Sequence, residues 1–118
     1  MSTIKANTLL HSDGSTTNPP AIPALDKRMA SAWVNFNDDG GIIGSFGVSS
    51  ITDSSTGIYT VNFSTAMANA NYVCLSGGGS YAEHLCFAGR STGSFPCYGR
   101  DMSGNSVDTN GMCAVFAN

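Results

Sequence analysis

The chain has 118 residues, 11% of them charged, and a net charge of -3 with five basic residues: Lys5, Lys27, Arg28, Arg90 and Arg100. That length suits one domain with a modest core, and so few cations leave no electrostatic footprint for nucleic acid. No signal peptide opens the sequence and no stretch approaches the ~20 apolar residues of a membrane span, so no membrane insertion is expected, and synthesis in a cytoplasm is.

In chain order, residues 1–20 show little periodicity. Ile4, Leu9 and Leu10 are the sizeable apolar groups after Met1, and residues 12–20 have the composition of turns and linkers. The segment reads as an extended N-terminal arm that gains order along a partner, with Ile4, Leu9 and Leu10 as anchors. Over 21–32 the pattern changes, because Ile22, Leu25, Met29 and Ala32 recur at helical spacing, with Pro23 suited to a first turn and Asp26 to the positive end. This predicts a short neck helix, too short to persist alone, that packs on its own sheet or against copies of itself around a symmetry axis. Trp33 is expected to be buried where that neck meets the sheet.

Residues 33–118 form the predicted β-domain, since glycine, Ser, Thr and Asn are abundant and apolar residues alternate in short runs. Residues 33–36 open it, 37–41 form a turn, and 42–48 follow as a strand interrupted by Gly44 and Gly47. The strongest signal is a hairpin over 48–63, with Tyr59, Val61 and Phe63 on one face and Gly57 at a positive φ in the turn. A turn centred on Ser55 sets Ile51 opposite Tyr59. Further strands are expected at 72–75, 84–88, 94–98 and 111–116, with 77–79 as a loop and Pro96 placing its strand at an edge or bulge. A count of about seven or eight strands is that of a small antiparallel β-sandwich.

Little in the sequence suggests chemistry. Of the two histidines, His11 lies in the arm, and His84 pairs with Glu83 beside Cys86 only as neighbours along one strand. No catalytic residue is assigned, and His84 is expected on the surface or in a loop. Cys74, Cys86, Cys97 and Cys113 lack a Cys-x-x-Cys knuckle, so a zinc cluster would have to be assembled wholly by the tertiary fold. Neither metal nor cofactor is expected. Two disulfides are the favoured state, and folding adjacent strands back on each other would pair Cys74 with Cys86 and Cys97 with Cys113. Disulfides in a chain made in a cytoplasm fit a protein that works outside a cell. Outward loops offer Tyr81, Glu83, His84, Arg90, Tyr98, Arg100 and Asp101, which mix aromatic faces with donors and acceptors able to hold a sugar ring.

Three landmarks resemble the short tail-fibre and receptor-binding proteins of tailed bacteriophages. They are residues 1–9 with the following Ser/Gly/Asn/Pro stretch, then 31–37 (Ser-Ala-Trp-Val-Asn-Phe-Asn), then 48–63 continuing to Ala66-Met67 and 69–72 (Asn-Ala-Asn-Tyr). Beyond Tyr72 only the ending at 113–116 is similar. Asp38-Asp39 and Ala68 depart from the pattern, where Gly-Thr and Pro are more usual. The resemblance implies a homotrimer in the virion tail, bound to other tail or baseplate proteins through its N-terminal part and displaying a β-domain toward a host-surface glycan or protein. A capsid decoration protein and a stand-alone glycan-binding module are the two other readings of the same features.

Overall fold

A computed structural model describes residues 3, 5–14, 28–79, 82–86 and 89–117. Eight strands run β1 (Ala32–Phe36), β2 (Ile42–Phe46), β3 (Val48–Ser55), β4 (Ile58–Phe63), β5 (Val73–Gly78), β6 (Ala82–Cys86), β7 (Ser94–Asp101) and β8 (Gly111–Phe116). They make two four-stranded antiparallel sheets, ordered β2-β1-β8-β5 and β3-β4-β7-β6. The architecture is mostly β, as expected, and no helix occurs among the described residues.

The inner faces interlock through two aromatic triads. At one end Phe36, Tyr59 and His84 stand with ring centroids 5.3 Å apart, and at the other Phe63 lies 5.4 Å from Tyr72 and 5.6 Å from Phe95. Such tilted and edge-to-face pairs add to what their buried area contributes. The tyrosine hydroxyls are satisfied too: Tyr59 donates to the Asp38 carbonyl at 2.7 Å, and Tyr72 lies within bonding distance of the Ser91 and Ser94 carbonyls. Ala32, Val34, Val48, Val61 and Val115 fill the space between.

Glycines set the tight approaches. Gly47, at φ 71°, turns the chain from one sheet to the other, so 42–48 is two strands rather than one. Gly57, at φ 70°, completes the β3–β4 turn. That turn is tighter than a Ser55-centred one, so the register puts Asp53 opposite Tyr59 and Ile51 opposite Val61. Gly77 and Gly78 belong to β5 instead of a loop, because no side chain could fit where Gly78 passes β6. Pro96 lies on β7 between β4 and β6, opposite Thr60 of β4, so its strand is not the expected edge.

One expectation at the start of the chain changes. Residues 28–31 are a turn and coil and Ala32 already belongs to β1, so the described part of the proposed neck, which includes exposed Met29, is not helical; Ile22 and Leu25 lie outside the described residues. In the arm, Leu9 and Leu10 are exposed and Ile4 lies outside the described residues.

Gly111 tests the packing most directly. It lies opposite Phe36, and a Cβ there would run into the fully buried Phe36 ring, whereas Gly93 faces open space. Gly111→Ala should therefore lower unfolding free energy by about 1–3 kcal/mol, and Gly93→Ala should stay within ~0.5 kcal/mol of the parent in urea titrations.

Candidate functional site

The four cysteines converge between the sheets. Because β8 stacks over β7 and β5 over β6, one sheet supplies Cys113 and Cys74 while the other supplies Cys97 and Cys86. Cys86 and Cys97 are direct cross-strand partners. Cys113 and Cys74 sit diagonally, opposite Ser76 and Val115 respectively, on the same inward face. The Cys97 and Cys113 sulfurs are 3.7 Å apart, and those of Cys86, Cys97 and Cys113 all lie within 4.8 Å of one another. Cys97 and Cys113 are buried; Cys74 and Cys86, on the edge strands, are partly so.

All four are free thiols. The expected neighbours do meet, but Cys97 and Cys113 stand at contact distance, well beyond the about 2.05 Å of an S–S bond. The two predicted disulfides are therefore absent from this structure. What the sequence could not supply by spacing, the sandwich supplies by stacking: each cysteine comes from a different strand.

His84 is the other correction. It occupies the middle of β6, 2% exposed, not a surface loop. Its Nε2 lies 2.8 Å from the Thr109 carbonyl, which can only accept, so the hydrogen-bond network assigns the ring proton to Nε2. Nδ1 is then free to accept from the Cys97 thiol at 3.0 Å. Burial lowers the His84 pKa, against the opposing effect of the Thr109 bond. The pairing that the sequence suggested, His84 with Cys86, is replaced by His84 with Cys97, and neither member of that pair reaches solvent. A nucleophile so enclosed cannot meet a substrate in this conformation.

The thiols act on each other. Bonds from Cys113, then Cys74 and Cys97, hold the Cys86 thiol far below the usual range, while the hydrogen bond to Cys86 raises Cys74 and Cys113. A thiolate forming at Cys86 is the one its neighbours solvate.

Of the remaining loop candidates, Glu83, Tyr98, Arg100 and Asp101 fall on strands. Glu83 and Arg100 are cross-strand partners, and the Arg100 guanidinium lies over the Tyr98 ring at 5.9 Å. They share the outer face of the β3-β4-β7-β6 sheet with Ser50, Thr52, Thr60 and Asn62, where the Asn62 amide bonds Ser50 and Thr52. Glu83 and Asp101 also line a shallow cleft with Ala82, Met102 and Gly104. The Asp101 carboxylate is engaged in holding its own turn, accepting from the Ser103 and Asn105 amides, and the Asn105 amide bond is the chief reason its pKa is lowered. Arg90 is exposed in a loop, over the Tyr72 ring; Tyr81 lies outside the described residues.

No family model, curated protein or solved structure matches the chain.

The opposite outer face is apolar. Phe46, Trp33, Ala114 and Leu75 form one row across β2, β1, β8 and β5, with Met112, Val73 and Phe116 beside it. Trp33 is 44% exposed here and Leu75 59%. Trp33 is not buried at a helix junction because Ala32, Val34 and Phe36 take the inward positions of β1, which leaves the indole on the other side, lying over Gly44.

Burial, then the Asp108 carboxylate, pushes the Tyr59 phenol up to about 12. The folded state favours the neutral phenol, so its contribution to stability is intact below the free tyrosine value near 10 and is lost as pH rises from there toward 12. Denaturant midpoints measured across this window should fall, and Tyr59→Phe should flatten the fall while lowering stability at neutral pH through the lost Asp38 bond.

Proposed function

We propose that this chain is a structural protein of a bacteriophage tail fibre or baseplate, homotrimeric, held in the virion by its N-terminal arm. Its β-domain faces a host-surface glycan or protein. The two unlike outer faces of the sandwich are the observation that carries this reading. The row from Phe46 to Leu75 is apolar and uncharged, while the opposite face carries Glu83, Tyr98, Arg100 and a hydroxyl and amide ladder.

An exposed contiguous apolar face calls for a covering surface. The occupant proposed is a second and third copy of this chain. Trp33 lies on β1, directly after residues 21–32, so copies gathered at their leading segments bring their β1 faces together around the axis. The polar face then points outward, where Tyr98 with its overlying Arg100 offers a stacking platform and Glu83 an acceptor for sugar hydroxyls. With His84, Cys97 and Cys113 enclosed, this reading requires no reaction.

Light scattering on the eluting full-length chain should give three chain masses. Leu75→Glu, at an exposed position, should give a folded monomer with an unchanged β-type circular dichroism spectrum. A wild-type monomer at tens of micromolar would overturn the trimer. Deleting residues 1–20 should abolish incorporation into particles, and retained incorporation would sink the arm's role.

A further inference from the structure

We infer that Cys74, Cys86, Cys97 and Cys113 form a four-thiolate site for a single thiophilic d10 metal ion, zinc(II), inside the sandwich. The argument is geometric. Four sulfurs around zinc at about 2.3 Å form a tetrahedron whose edges are about 3.8 Å. The Cys97–Cys113 separation is 3.7 Å, and Cys86 completes a triangle in which no pair exceeds 4.8 Å. Cys74, beside Cys86 on the facing strand, stands outside that triangle and would swing toward it to provide the fourth ligand. Two ligands from each of two stacked sheets are the arrangement a tetrahedron needs, one edge on either side of the ion and the edges crossed. Disulfides use sulfurs only in pairs, and a triangle of mutually close sulfurs is not explained by them.

The surroundings suit the ion. Thiolate ligands select zinc, copper(I) or iron–sulfur centres over hard cations, and a closed set of four is a structural site with no position open for substrate. The Ser76 hydroxyl donates to the His84 carbonyl at 2.6 Å, tying β5 to β6 beside the cluster. His84 is itself held by Thr109 with Nδ1 3.0 Å from the Cys97 sulfur, so a zinc bond at Cys97 replaces the S–H···Nδ1 hydrogen bond there. The loop cation Arg90 lies over Tyr72 and near Cys74, and so offsets part of the site's charge. The balance is simple: one zinc(II) enters, four S–H bonds give up four protons, and the cluster carries a net charge of -2. No oxidant or reductant takes part. The ion would clamp both sheets at the β5–β6 edge, a cross-link available to a chain made in a reducing cytoplasm.

The full-length chain, purified anaerobically with a phosphine reductant and no chelator, should contain one zinc per chain by elemental analysis. Exchange into cobalt(II) should produce the visible bands of a tetrahedral tetrathiolate together with sulfur-to-cobalt charge transfer. In Cys74→Ser, at the most peripheral ligand, the charge-transfer band should drop by about a quarter, the share of one thiolate in four. Stripping zinc from the wild type should lower its thermal midpoint. A chain whose four thiols all alkylate and which takes up neither ion overturns the site, and so does a metal-free chain lighter by four hydrogens. None of these readouts depends on trimerisation or on a virion.

Discussion

The meeting of two inner β-faces, through ring triads at either end and cysteines between them, is the contact on which the rest of this structure depends. Phe36, Tyr59 and His84 at one end and Phe63, Tyr72 and Phe95 at the other fix how the sheets lie on each other. Stacked sheets stand about 10 Å apart, a gap that large side chains fill from both sides. Cys97 sits within this scheme, two residues from Phe95 along β7 and against His84, so the thiol cluster inherits its position from the aromatic packing.

The same contact explains the path of the chain. The strands that stack as pairs, β2 on β3 and β5 on β6, are consecutive in sequence but belong to different sheets. Each of these crossings depends on glycine: Gly47 at one edge, and at the other Gly78, where backbone passes backbone too closely for a Cβ. Two crossings at opposite edges close the sandwich like a seam. They also leave each sheet with one face to solvent, and the sequence treats those faces oppositely, apolar around Trp33 and Leu75, polar around Asn62 and Arg100.

Local periodicity made much of this legible. The alternation of Tyr59, Val61 and Phe63 identified their inward face because a strand has a period of two and turn chemistry flanked it. Parity also held the answer for Trp33, since Ala32, Val34 and Phe36 share one side; an aromatic's general preference for burial outweighed that signal. For 42–48, parity misled, because a single left-handed glycine at Gly47 breaks the count. His84 and Cys86 were correctly placed on one face, but which face was buried depends on what stacks above β6. The cysteine cluster was legible only in pairs. Four thiols from four strands carry no spacing signature, and only the order of strands within both sheets brings them near one another.

β8 follows every other described strand in sequence, yet it lies in the interior of its sheet, between β1 and β5. During vectorial synthesis the β1–β2 hairpin and β5 must therefore wait, unjoined, until the ribosome has released enough chain for β8 to slide between them. One sheet of the molecule can form before β8 has emerged; the other, with Cys113 on its inner side and the apolar row on its outer side, closes only after it. That row, which takes in Ala114 of β8, is likewise continuous only once β8 is in place.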